Sequence, residues 1–193
     1  ATRELAARME EGVHPLLASG NPAGKTLVIL ISTNKGLCGG LNTTLFRQLV
    51  QWFEGGTSVD YISVGKKGES MLARTGRTLT ADFSATVPFV ENVPAITQLL
   101  VSGFTNTTYR DVHVVYSGFV NALKQTPVRK VILPLSGFEK EEDGQKTPDK
   151  LRFSEFLIEP SVSDVLSNLL PHYLESQLRI AILEAEASEH SAR

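Results

Sequence analysis

Residues 33–42, TNKGLCGGLN, place one cysteine among three glycines directly after an apolar run, and they are the residues of this chain best suited to chemistry. A thiol near a helix N-terminus can be activated by the positive end of the helix dipole, which makes Cys38 a candidate nucleophile. No base accompanies it in sequence. His14, His113, His172 and His190 are scattered, so the favoured reading is a small packed thiol. The glycines stand where a dinucleotide fingerprint would, but their spacing is not G-x-G-x-x-G. Asp60, about 20 residues on, opens the next strand, whereas a ribose-binding acid would close it. Gly36, Cys38, Gly39 and Gly40 are therefore read as a structural turn, with backbone packed tightly at a corner.

Two other stretches invite chemical readings and lose them. Residues 20–26, GNPAGKT, resemble a phosphate-binding P-loop, but the outer glycines are one residue too close together. The stretch also precedes a strand, where a P-loop follows one and opens a helix. Glu175, Glu184, Glu186 and Glu189 could ligate a metal, yet carboxylates on an amphipathic helix usually form a solvated face. Residue types and spacing alone yield no catalytic set, no metal and no cofactor.

The elements that would position these residues alternate between strand and helix. The run 27–31, LVILI, is apolar at every position and β-branched at Val28, Ile29 and Ile31. That pattern suits a strand covered on both faces, as in a parallel sheet flanked by helices. A helix follows over 41–53, a strand over 59–64, a short helix over 69–74, extended pieces over 78–88, a helix over 93–104, and strands over 111–116 and 128–135. Pro127 and Pro134 keep the ends of the last strand out of a central ladder. Residues 139–150, EKEEDGQKTPDK, are almost wholly polar and are expected to form a mobile loop. Both ends read as helix: 1–19 carries Leu5, Met9, Val13 and Leu16 or Leu17 on one stripe, and from Ser161 onward apolar residues recur every three or four positions. Pro171 is expected to kink that last helix, and its stripe through Leu178, Ile182 and Ala185 to be left partly exposed for want of a facing helix. The fold class is α/β, divided into a helical region 1–19, an α/β domain 20–160 and a terminal helix 161–193.

Composition narrows the function classes. The 193 residues are 41% hydrophobic and 21% charged, an ordinary globular balance, and a net charge of −2 supplies no basic field for nucleic acid. No apolar run approaches the roughly 20 residues of a membrane span. A single cysteine rules out an intramolecular disulfide and a thiolate metal cage. The chain starts at Ala1 and stops at Arg193 inside a helical pattern without a capping Gly, Asn or Pro, which gives the expectation of a fragment.

Residues 33–42 also resemble the (S/T)-D-(R/K)-G-L-C-G-G-(L/F)-N signature of the gamma-subunit family of F-type ATP synthases, with Asn34 where that family has Asp. Residues 173–177, YLESQ, with 186–193, EASEHSAR, are similar to the family's C-terminal helix, whose pattern is E-x-Q followed by A-S-E-x-A-A-R-M. Between them, 156–160, FLIEP, is similar to its Y-L-Y-E-P segment. Order and spacing agree over nearly the whole chain.

The resemblance implies a Rossmann-like domain with a mostly parallel sheet. N- and C-terminal helices would extend from it as an antiparallel coiled coil, truncated here. It implies a non-catalytic central-stalk rotor that carries torque between the membrane c-ring and the catalytic alpha/beta ring during proton-driven ATP synthesis. Implied partners are the alpha and beta subunits, a small stalk subunit of bacterial epsilon type, and the c-ring. The implied location is peripheral, on the cytoplasmic face of a bacterial inner membrane. Residue by residue, Phe156, Leu157, Ile158 and Glu159 would touch the c-ring, and Glu186, Ser188, Glu189 and Arg193 would lie on the helix facing the alpha/beta ring. A Rossmann-type nucleotide-binding enzyme and a freestanding helix-mediated adaptor are the rival readings.

Overall fold

A computed structural model describes residues 14–55, 58–135 and 162–193. Its elements in order are β1 (Lys25–Ile31), α1 (Leu41–Trp52), β2 (Val59–Val64), α2 (Lys66–Arg74), β3 (Thr78–Asp82), a 3-10 turn (Phe89–Asn92), α3 (Val93–Thr105), β4 (Tyr109–Asn121), β5 (Lys124–Leu133) and α4 (Val162–Ala192). The sheet runs β3-β2-β1-β4-β5. Its first four strands are parallel and β5 is antiparallel. This is a mostly parallel α/β sheet of doubly wound order.

β1 sits at the centre because its sequence allows no solvated face. Leu27, Ile29 and Ile31 point into the larger core cluster with Val112, Val114 and Tyr116 of β4, Ile96 and Leu100 of α3, and α4. Val28 and Leu30 point the other way, onto Leu45 and Leu49 of α1 and Met71 and Leu72 of α2. Strand side chains alternate between faces, so an unbroken apolar run means helices on both sides.

Several expectations need correction. The strand expected over 111–116 runs to Asn121, well past its pairing with β1, and turns back as a hairpin into β5. Its end, residues 119–121, is exposed, which leaves Phe119 and Val120, and Leu123 in the turn that follows, open to solvent. Pro127 lies within β5, opposite Ser117. An edge strand tolerates this because its outer N–H groups need no ladder partner. At the start of the chain, 14–18 form a turn in which Leu17 N and Ala18 N both donate to His14 O. The helix expected over 1–19 therefore does not reach its end, and its residues 1–13 lie outside the described residues. The loop expected over 139–150 lies outside them as well.

α4 stays helical on both sides of Pro171 and spans about 46 Å at 1.5 Å per residue. Leu170, Leu174, Leu178, Ala181 and Ile182 are buried against the sheet and α3, so the helix belongs to the core. Each buried leucine or isoleucine contributes about 1.5–3 kcal/mol, which holds the helix down along that length. The partly exposed stripe expected at Leu178, Ile182 and Ala185 is thus overturned: the first two are buried, and Ala185 packs against the core.

Candidate functional site

The corner after β1 is held by a small polar network. Thr33 Oγ1 donates to Lys35 O at 2.7 Å, and Asn42 Nδ2 donates to Thr33 Oγ1 at 2.8 Å and to Cys38 Sγ at 3.3 Å. Cys38 is buried, and its hydrogen-bonding neighbours among the described residues are an amide and a hydroxyl, neither of them a base. The packed-thiol reading fits this geometry. Asn34 reaches sideways: its Oδ1 accepts from Lys66 N at 2.9 Å at the start of α2, while its Nδ2 donates to Ser84 O at 3.2 Å. A carboxylate could make the first of these bonds but not the second, because it has no N–H to donate.

Tight backbone packing at the corner is not what the structure shows. A Cβ on Gly36 or Gly39 would meet nothing within 4 Å, and one on Gly40 would meet only Thr44 Oγ1 at 3.8 Å. Gly39 alone of the three has a left-handed φ, 56°, and Leu37 shares that conformation at φ 61° with 93% of its surface exposed. The corner is an open, outward-facing turn.

The P-loop-like residues 20–26 and Asp60 lie at the opposite end of the sheet from this corner. Asn21 in the loop before β1 donates through Nδ2 to Thr107 O at 2.9 Å, which ties that loop to the start of β4. Asp60 pairs with Lys25 at 3.1 Å across the first residues of β1 and β2. Neither is near the carboxyl ends of the strands, where nucleotides bind in such sheets.

α4 carries two apolar stripes. The inner one packs on the sheet. The outer one runs Leu169, Tyr173, Ser176, Ile180, Leu183 and Ala187, all exposed, at alternating spacings of four and three residues. That is the spacing of a coiled-coil seam. Ser188 is fully buried, so it faces the fold rather than outward, and its Oγ has no partner among the described residues. Glu186 and Glu189 are half-buried, and Arg193 is exposed and pairs with Glu189. Ser191 Oγ donates to Ala122 O at 2.8 Å, fastening the helix end to the hairpin tip. Nearer the middle, Glu184 hydrogen-bonds Tyr116 of β4. Burial first, and this carboxylate second, push the phenol up to about 12. Phe156, Leu157, Ile158 and Glu159 lie outside the described residues.

A histidine is buried within the sheet. His113 packs edge-on against Phe53, with ring centroids 5.4 Å apart, its Nδ1 unpartnered and its Nε2 3.6 Å from Asp111 Oδ1. Burial lowers its pKa and Asp111 only partly opposes this. A histidine held neutral in the fold contributes stability above its unfolded pKa of about 6.5, and that contribution is lost as pH falls through and below it. The urea midpoint should therefore drop between pH 7.5 and 5.5, and His113→Gln should flatten that slope. An equal slope in both proteins would exclude His113 as the cause.

Among the described residues no group of three or more His, Cys, Asp or Glu side chains could hold a metal, and no helix is long and apolar enough to cross a membrane. Fold and surface together define an α/β domain bearing a long terminal helix with an open coiled-coil seam. The family model described as ATP synthase matches residues 1–193. Among curated relatives, the ATP synthase gamma chain of Nitrosomonas europaea is 30% identical over 99% of this chain and 68% of its own length. That of Herpetosiphon aurantiacus is 36% identical over 93% and 62%, and that of Legionella pneumophila 29% over 99% and 66%. The chain thus spans about two thirds of the length of the curated relatives it matches. A chain in the central stalk and c-ring structure of the Tetrahymena thermophila mitochondrial ATP synthase shares its fold, with a TM-score of 0.65 at 20% identity, covering 97% of this chain and 82% of that one. The rotor structure of the Euglena gracilis enzyme gives 0.61 at 21%, covering 98% and 76%. The chain belongs to the ATP synthase gamma-chain family.

Proposed function

We propose that this chain is the globular, membrane-near part of a central-stalk rotor that carries torque between the c-ring and the catalytic alpha/beta ring of an F-type ATP synthase, without a catalytic site of its own. The observation that carries the reading is α4, a helix of about 46 Å fixed to the sheet along one face while the other presents a heptad stripe. Torque transmission needs a stiff lever joined to a body. Burial of Leu170, Leu174, Leu178 and Ile182 supplies the joint, and the outer stripe accepts a second, antiparallel helix. The relatives' names and the rotor structures that share the fold support the same role. Alpha and beta subunits, an epsilon-type stalk subunit and the c-ring are the partners, at the cytoplasmic face of a bacterial inner membrane. Glu186, Glu189 and Arg193 are on the helix surface offered to the ring, and the buried Ser188 is not.

The seam is tested by the double substitution Ile180→Asp, Leu183→Asp. Both side chains are exposed, so the isolated chain should keep its urea midpoint, while ATP-driven proton pumping by vesicles carrying the variant enzyme should fall at least tenfold. Normal pumping would sink the reading. The foot is tested separately by Glu159→Lys. The substitution should change folding stability by no more than about 0.5 kcal/mol and lower the ratio of pumping to ATP hydrolysis. An unchanged ratio would remove 156–159 from the c-ring contact.

A further inference from the structure

A cavity of about 420 Å³ opens beside the β1–α1 corner, between the N-terminus of α1, the β4–β5 hairpin and the end of α4. It lies beyond the carboxyl end of β1, alongside the outer half of β4 where that strand pairs with β5. The order β3-β2-β1-β4 makes this the point where the crossovers reverse direction, which is where open α/β sheets bind ligands. Its polar lining has one sign. Lys124, Ser117, Thr44, Gln125 and Ser191 border it, and among the described residues no carboxylate does.

Two features at this cavity are unfinished, the first at the helix start whose residues Gly40, Leu41 and Thr44 line it. α1 has no side-chain cap and no acidic residue in its first turn. Leu41 N donates to Cys38 O and Thr44 N to Gly40 O, which leaves the N–H groups of Asn42 and Thr43 without a backbone acceptor. Uncapped N–H groups at the positive end of a helix favour an anion. The second feature is independent of the helix. Ser117 is only 5% exposed, and no hydrogen bond reaches its hydroxyl among the described residues. Residue alternation along β4 puts its side chain on the same face as Val115, which packs under α1, and so into the cavity that Leu41 and Thr44 border. A hydroxyl there can both donate to and accept from a ligand oxygen in the cavity. Lys124, with no ion pair among the described residues, supplies the charge.

We propose that this cavity is a site for a phosphate group, free or as a monoester, held by the α1 N-terminus, Ser117 Oγ and Lys124 Nζ. A phosphate offers several acceptor oxygens and a charge near −2, which answers an amide pair, a hydroxyl and an ammonium together. The cavity exceeds the size of one phosphate, and its apolar border of Leu41, Leu123 and Pro127 gives an ester substituent somewhere to lie. The proposal is independent of the rotor reading, because nothing in it uses the seam or the foot.

The test titrates the 193-residue chain with inorganic phosphate, then with phenyl phosphate, against sodium chloride at matched ionic strength. Backbone amide NMR shifts of Gly40, Asn42, Thr43 and Ser117 are followed. Saturable shifts that chloride does not reproduce are expected, with phenyl phosphate binding more tightly if the ester is the natural form and equally if free phosphate is. Lys124→Gln and Ser117→Ala should each weaken binding at least fivefold. Ser117→Ala should meanwhile leave the urea midpoint without phosphate unchanged or raised, since it removes an unpaired hydroxyl. Shifts equal to those in chloride, or binding indifferent to both substitutions, would overturn the site. So would a lowered midpoint in Ser117→Ala, because it would show that the hydroxyl serves the fold.

Discussion

Leu178→Asp should cost at least about 4 kcal/mol and leave the chain largely unfolded, whereas Leu183→Asp, on the same helix, should cost within about 0.5 kcal/mol. Leu178 is fully buried against the sheet, so its replacement removes a packed side chain, worth about 2–5 kcal/mol on truncation, and puts an unpaired carboxylate in its place. Leu183 is 51% exposed on the opposite stripe and loses little. Urea denaturation followed by circular dichroism reads both. The contrast assigns the faces of α4 directly: if Leu183→Asp proved the more damaging, the inner and outer stripes would have to be exchanged. The seam argument for a rotor would then fall with it.

Gly65→Val should be the most damaging glycine replacement at the carboxyl ends of the strands, at about 3 kcal/mol or more. Gly65 has φ 111°, a conformation that costs an L side chain on the order of 1–2 kcal/mol, and a Cβ there would stand 2.2 Å from Ser32 O. The backbone cannot shift freely, because Gly65 O accepts from Ser32 Oγ at 3.1 Å and Ser63 Oγ at 3.0 Å. Ser32 Oγ in turn accepts from Gly68 N at 2.8 Å. Breaking this buried set leaves polar groups unpaired at about 1–3 kcal/mol each. Gly39→Ala should cost only the conformational strain, about 1–2 kcal/mol, because its φ of 56° lies in open space. Gly36→Ala, with ordinary φ and open surroundings, should fall within about 0.5 kcal/mol. Equal losses at Gly65 and Gly36 would refute this ordering.

These expectations differ from a reading of the glycines as a group. Sequence shows three glycines in five residues and suggests a crowded corner. It does not show φ, and the structure finds one left-handed glycine in a turn that touches little. Crowding is found at other glycines, among them 65 and 68 at the start of α2. Ser117 was equally hidden. Its burial depends on a hairpin that extends past β1, and the short strand read at 111–116 ends just before it. The cavity beside it depends on α4 returning to the hairpin tip, which no local pattern announces.

Local sequence by itself determined the element types and the centre of the sheet. LVILI has no polar side to turn to water, so it had to be covered on both faces, and the alternation of strands and helices then made the sheet mostly parallel. The motifs of residues 33–42, 173–177 and 186–193 pointed to the family, since they match its patterns in order and spacing with few departures, Asn34 among them. Tertiary structure decided which face of α4 is the lever's joint and which is its open seam. The helix carries two apolar stripes, through Leu178 and through Leu183, each with spacing that suits packing. Periodicity gives the existence of a stripe but not its partner, because the partner is β4, distant in the chain and brought alongside only by the completed sheet.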